Sequence, residues 1–180
     1  MSIYGGKELA SAFRTVRKNT IQIAEDIPEE KYDFVPAPGV KAVAKQLAHI
    51  ATVTRLWPEI LKDGITTLVG FDFLSLRDRL QAEEEKLRTK ADLVGYLRGE
   101  GEKFAAWLET LTPEFLAVEV FDGDGKTLRT RFERVLGAKE HEMHHRGQLM
   151  LIERQLGIVP HLTRQGEERM KQLRAARAAN

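Results

Sequence analysis

Leu9, Phe13, Val16, Thr20, Ile23 and Ile27 recur at spacings of 4, 3, 4, 3 and 4. Side chains so spaced share one stripe of an α-helix, so Gly6 to Ile27 is expected to form a long helix with one buried face. Pro28 ends it. A second seam runs from Val40 to Lys62 with Pro58 inside it, which predicts a kink or a break near Trp57; Asp63-Gly64 closes it. The third opens at Thr89-Lys90-Ala91-Asp92, a capping-box-like start, and carries Leu93, Leu97, Phe104, Leu108 and Leu111 before Thr112-Pro113. The fourth runs from about Thr130 to Leu156 and stops at Gly157, a residue suited to closing a helix in the left-handed conformation. Four such seams, with long connectors after the first and second, call for an all-α four-helix bundle.

The connectors read less clearly. Tyr32 and Phe34 are expected to plug the first one onto the core. Residues 65–88 begin apolar but aperiodic; Ser75 to Leu87 is charged enough for a short helix with Ser75 as its cap, placed where it can cover the mouth of the bundle. Leu116 to Phe121 and Thr127 to Arg131 flank Asp122-Gly123-Asp124-Gly125-Lys126, which predicts a small hairpin before the last core helix. Two motif matches fail there. Gly125-Lys126-Thr127 resembles the tail of a phosphate-binding loop, but Val120 stands where that loop needs glycine. Asp122 and Asp124 begin like a calcium loop, but Lys126 and Thr127 occupy positions that need an oxygen ligand and a glycine. After Pro160 and His161, read as loop, a short C-terminal helix from Thr163 carries Arg164, Arg169, Lys171, Arg174 and Arg177 against Glu167 and Glu168; this reads as a solvated face.

A length of 180 residues suits a single domain, residues 1–180. The formal net charge of +1 supplies no field to attract a nucleic acid or a membrane surface. Met1 to Glu8 has no apolar core of signal-peptide type and no run approaches a membrane span, so the expected setting is the cytoplasm. The chain has no cysteine. That removes disulfides, thiolate nucleophiles and thiolate zinc sites, and leaves imidazole and carboxylate as the good metal ligands.

Three of the five histidines fall in the run His141-Glu142-Met143-His144-His145 on the fourth seam. At about 100° per residue, His141 and His145 lie roughly 40° apart and one turn along the axis. Two imidazoles so related can bind one cation. Ala138, Leu149, Ile152 and Leu156 lie on the same side, so both histidines are expected to point into the protein. His144 falls at the edge of that stripe. His49 occupies the centre of the second seam, among Ala42, Val53, Leu56 and Ile60, with Gln46 and Trp57 close by. A lone inward histidine is ordinarily a hydrogen-bonded core residue. Three buried imidazoles without partners would be costly, and one shared cation would satisfy them together. His161 shows no such pattern.

Leu47-Ala48-His49-Ile50 on the second helix, followed by His141-x-x-x-His145-Arg146-Gly147-Gln148 on the fourth, resembles the DinB/YfiT-like metalloenzymes. The resemblance runs from the first helix through Gly157 and leaves the charged C-terminal helix unmatched. It implies an up-down-down-up bundle, often dimeric, with one divalent metal held by His49, His141 and His145. It also implies activity as a transferase or isomerase using a low-molecular-weight thiol, or as a hydrolase of small substrates. Zinc is the first choice of metal; nickel, iron and manganese suit the same ligands. Gln148 can orient a ligand or a bound water, and its alternative role is a hydrogen bond between helices. His144 and Glu142 are weaker candidates to support the ligands. Trp57, Tyr96 and Glu100 are candidates to line a pocket, Glu100 being a carboxylate beside an apolar stripe. A metal-binding, stress-associated helical dimer whose cation serves stability alone is the alternative reading.

Overall fold

The computed structural model describes residues 4–179, so the first three residues of the Met1–Glu8 segment and Asn180 lie outside the description. The helices are α1 (Gly6–Asp26), α2 (Val43–Val53), α3 (Leu56–Ile60), α4 (Phe73–Glu84), α5 (Lys90–Glu109), α6 (Pro113–Ala117), α7 (Arg131–Gln155) and α8 (His161–Ala178). A 3-10 turn, Glu29–Lys31, follows α1, and a two-stranded hairpin, β1 (Glu119–Phe121) with β2 (Leu128–Thr130), precedes α7. No helix among the described residues is long and apolar enough to cross a membrane.

The long helices α1, α2, α5 and α7 make a four-helix bundle whose directions follow from their cross-contacts. Gly6 at the start of α1 lies against the carbonyls of Leu108 and Leu111 at the end of α5, and Arg98 near the start of α5 reaches Glu25. Those two run antiparallel. Gln46 and Trp57 of the α2–α3 arm meet His145 and Arg134 respectively, so that arm is antiparallel to α7. Val43 and Leu47 share a cluster with Leu93 and Leu97, and Arg55, just beyond α2, bonds Tyr96, so α2 and α5 point the same way. The result is the up-down-down-up order.

Two apolar clusters fill the bundle. Phe13, Trp57, Phe104, Leu108 and Val135 belong to one, and Ile23, Val43, Leu47, Leu93 and Leu149 to the other. Along α1 they are divided by Arg17, along α7 by Glu142, and these two residues are buried to 3% and 1% exposure. Arg17 gives Glu142 a forked contact, Nε at 2.9 and 3.1 Å and Nη2 at 2.9 Å. It also donates to the Leu97 carbonyl of α5 at 2.7 Å and the Ile50 carbonyl of α2 at 3.2 Å. One side chain thus ties all four helices together. Gly101 allows this approach, since a Cβ there would stand 2.8 Å from Arg17 Cγ.

Local chemistry explains the boundaries. Thr130 and Glu133 form a reciprocal cap at the start of α7. At its end Gly157 adopts φ +77°, with Gly157 N–H bonded to the Arg154 carbonyl and Ile158 N–H to that of Glu153, the two-bond closure that a glycine permits. The second seam breaks slightly before its expected point. α2 stops at Val53, and Thr54 and Arg55 form a turn, because the ring of Pro58 conflicts with the carbonyl four residues earlier, that of Thr54. Asp72 rather than Ser75 caps α4, its carboxylate accepting from Ser75 N at 2.9 Å. Pro113, expected only to end α5, also begins α6, as proline suits a first helical turn. His161 is not in a loop. It is the first residue of α8 and only 4% exposed, while α8 is solvent-exposed from Arg164 onward. Tyr32 does plug the first connector, its hydroxyl donating to the Ala24 carbonyl at 2.7 Å.

Candidate metal centre

His49 comes from α2, and His141 and His145 from successive turns of the antiparallel α7. The three offer ligand atoms that all lie within 4.8 Å of one another. His141 Nε2 stands 3.2 Å from His49 Nε2 and 3.2 Å from His145 Nε2. Three nitrogens held at zinc-ligand distance around a tetrahedral cation are separated by about 3.3 Å, so the spacing fits.

The surroundings fix which nitrogen of each ring carries its proton. Glu84 Oε1 lies 3.1 Å from His49 Nδ1 and accepts from Thr52 Oγ1 at 2.9 Å. Burial opposes ionisation of Glu84, but the hydrogen bonds from His49 and Thr52 outweigh it and hold the carboxyl below its ordinary value. An ionised carboxylate only accepts, so His49 Nδ1 bears hydrogen, and in the neutral tautomer that a metal would require Nε2 presents the lone pair. On the other side, Gln46 Nε2 is 3.2 Å from the His145 carbonyl, which identifies it as the amide nitrogen. The Gln148 atom 2.7 Å from that nitrogen is therefore its oxygen, and His145 Nδ1, 2.8 Å from the same oxygen, must donate to it. His145 Nε2 is then also a lone pair.

Two lone pairs therefore converge on the third nitrogen, and one imidazole N–H cannot satisfy both. His141 Nδ1 is itself buried without a protein partner. Burial first, and then the neighbouring histidines, push the His141 pKa down to about 4, and burial also lowers that of His145. Both rings are neutral at pH 7, the state a metal requires. A cation is what such an array can hold.

The other sequence candidates separate. Gln148 is beside the triad, bonded to His145 and, through its amide nitrogen, to exposed His144 at 3.1 Å. The Trp57 ring centroid is 6.5 Å from that of His141, and its indole N–H donates to the Arg134 carbonyl. Glu142 is not brought to the histidines. It lies about 100° around α7 from His141, faces α1, and is consumed by Arg17. Tyr96 accepts from Arg55, and Glu100 from Lys103 at 2.7 Å. Two further partners of the site, Glu84 and Gln46, carry weaker sequence signals. Gln46, one turn before His49, was visible as a polar residue on a buried stripe. Glu84 sits within Glu83-Glu84-Glu85 and carries no periodic signal.

The model of the DinB superfamily matches residues 12–149, a span that contains all three histidines. The chain belongs to the DinB superfamily. It is 28% identical over 152 residues to the uncharacterized protein YjoA of Bacillus subtilis, covering 83% of this chain and 90% of that one. The crystal structure of YjoA, a DinB-like protein, aligns with a TM-score of 0.62 at 27% identity, over 83% of this chain and 92% of the other. YfiT from Bacillus subtilis, described as "a probable metal-dependent hydrolase with an unusual four-helix bundle topology", aligns at TM-score 0.67 and 16% identity, over 88% and 91% of the two chains. An uncharacterized protein from Clostridium difficile 630 gives TM-score 0.64 at 15% identity, over 86% and 98%. The last two likenesses speak for the fold.

Proposed function

We propose that this DinB-superfamily protein is a metal-dependent enzyme that binds one divalent cation through His49, His141 and His145 and attacks a small electrophilic substrate with water or with a small thiol. The observation that carries the proposal is the convergence of imidazole lone pairs whose tautomers Glu84 and Gln148 fix from behind. Three neutral ligands leave the cation's charge uncompensated, and such an ion polarises a carbonyl or lowers the pKa of water or a thiol toward neutrality. Zinc is the first expectation, and nickel, iron and manganese suit the same donors. The name given to YfiT supports the hydrolase form of the reading. The thiol form suits a chain without cysteine, because the sulfur would come from a cosubstrate.

The protein's own groups have distinct tasks in this scheme. Glu84 holds His49 in the Nδ1–H tautomer and raises the basicity of its Nε2. Gln148, steadied by buried Gln46, does the same for His145. A groove between α2 and α4, lined in part by His49 and Glu84, has a volume of about 890 Å³, enough for a small substrate.

Metal analysis of the purified protein and of its His49→Ala variant tests the proposal. One divalent ion per chain is expected, with uptake strongly weakened in the variant; equal affinity and stoichiometry would overturn the three-ligand site. Turnover of small esters, amides or thiol–electrophile pairs that vanishes in a folded His145→Ala variant supports catalysis. If chelation collapses the melting temperature and no substrate turns over, the cation is structural.

A further inference from the structure

Helix α4 forms one wall of the groove, yet little holds it to the bundle. Of its twelve residues Leu76 alone is buried, while Phe73 and Leu74 are 40% and 72% exposed. Leu76 and Leu80 supply its apolar contact with the core. Its backbone hydrogen bonds stay within residues 71–87. Among the described residues its side chains bond the bundle at one point, where Glu84 Oε1 accepts from Thr52 Oγ1 at 2.9 Å and from His49 Nδ1 at 3.1 Å. The connector before α4 is fixed as far as Leu68, whose N–H donates to the Phe121 carbonyl at 2.9 Å, while Phe121 N–H donates to that of Thr66 at 3.0 Å. Gly70 follows in open space at φ +74°, a conformation that leaves the chain free to turn there.

A helix of this length is marginal in water by itself, so α4 melts when it leaves the bundle, and its amides then exchange with solvent. The Glu84 contact therefore bears on whether the wall stands. That contact reaches the histidines through a single ring. His49 turns Nδ1 toward Glu84 and Nε2 toward His141. A cation on Nε2 draws charge from the imidazole and makes Nδ1–H a stronger donor to the carboxylate. Linkage makes the effect reciprocal: the factor by which docked Glu84 raises cation affinity is the factor by which the cation favours docked α4.

We infer that α4 is a flap latched at Glu84, and that a cation on the histidines tightens the latch through His49. The inference rests on the metal-dependent reading and adds a conformational response to it: the groove's wall firms when the ion that would act beside it is bound.

Hydrogen–deuterium exchange of the chelator-treated and the zinc-saturated protein, read together with zinc stoichiometry, tests this. On zinc loading the α4 amides are expected to slow by about 10–100-fold, the factor by which the partner of a metal-bound histidine commonly changes cation affinity. In Glu84→Gln, saturated at higher zinc, the slowing is expected to fall below about threefold, because a neutral amide is a weaker acceptor for the polarised N–H. Full zinc uptake by the parent with α4 exchange unchanged would overturn the latch and leave the metal site standing. Equal slowing in parent and variant would also overturn it. Absence of zinc uptake would overturn the metal-dependent reading, and the latch with it.

Discussion

Glu142→Leu strands the Arg17 guanidinium at the centre of the bundle. Glu142 contributes three of Arg17's five hydrogen bonds, and both residues are at most 3% exposed. The guanidinium cannot shed its proton, and two carbonyls remain as its only partners. Removing one member of a buried pair costs about 3–5 kcal/mol. With an unfolding entropy of about 2.1 cal/mol/K per residue, a chain of 180 residues then loses roughly 8–13 °C in melting temperature. Such a variant still folds if the parent lies in the upper part of the usual 5–15 kcal/mol range.

The informative protein is the double variant Arg17→Met/Glu142→Leu, which removes both charges and keeps apolar volume against Gly101. Replacing a whole buried pair by packed apolar side chains is commonly neutral or stabilising, so the double variant is expected to melt above either single one, with a coupling of at least 2 kcal/mol. Urea and thermal unfolding of the four proteins measure it. A single-variant loss under 2 °C, or a double variant whose loss equals the sum of the two singles, would refute the claim that Arg17 depends on Glu142.

Gly6→Ala is expected to destabilise by about 1–3 kcal/mol, because its Cβ would collide with the Leu108 carbonyl and stand 2.7 Å from that of Leu111; an unchanged melting temperature would show that α1 and α5 are not closely packed there. Glu84→Gln is expected to lower cation affinity by about 10–100-fold in chelator competition, since the amide loses the charge that polarises His49. Burial, and secondarily Asp26, push the Glu153 pKa up to about 7, so the folded chain holds a proton that the unfolded chain releases above about 4.5; stability from this group is complete at low pH and declines as pH rises through that window. Glu153→Gln removes the decline and should gain stability relative to the parent at pH 8 but not at pH 4; parallel melting curves would refute this. The depressed histidines His141, His145 and His161 act in the opposite sense, losing stability as pH falls below about 6.5, and they cancel in the comparison because both proteins share them.

Apolar periodicity is a local property, and it carried most of the fold. The seam from Leu9 to Ile27 became α1, and the segment ending at Gly157 became α7 with the closure its glycine predicts. The histidine faces were legible for the same reason, since His49, His141 and His145 each sit on a stripe. Polar partnerships over long chain separations were not legible. Arg17 and Glu142 are 125 residues apart, and His49 and Glu84 lie 35 apart on helices whose docking no pattern announces. Arg17 in particular interrupts no rhythm, because Val16 and Thr20 already complete the α1 seam. His161 opens α8 without a distinct sequence signal, because Pro160 before it suits a loop or a helix cap equally well.

The buried ion pair and the histidine triad solve one geometric problem. A helix with an apolar stripe can rotate by tens of degrees about its axis at modest cost, since neighbouring apolar side chains substitute for one another. Metal ligands tolerate no such freedom; their nitrogens must meet within a few tenths of an ångström. Glu142 follows His141 in the chain, so fixing its carboxylate on α1 fixes the direction of the next imidazole, about 100° away, toward α2. Arg17 reads the same register on α2 through the Ile50 carbonyl, one residue after His49. The guanidinium thus sets the rotation of both histidine-bearing helices from a single point. On this account the charged pair is retained for positioning more than for stability, and Arg17→Met/Glu142→Leu should weaken cation affinity even where it melts as high as the parent. Equal affinity in a double variant of equal stability would separate the pair from the site.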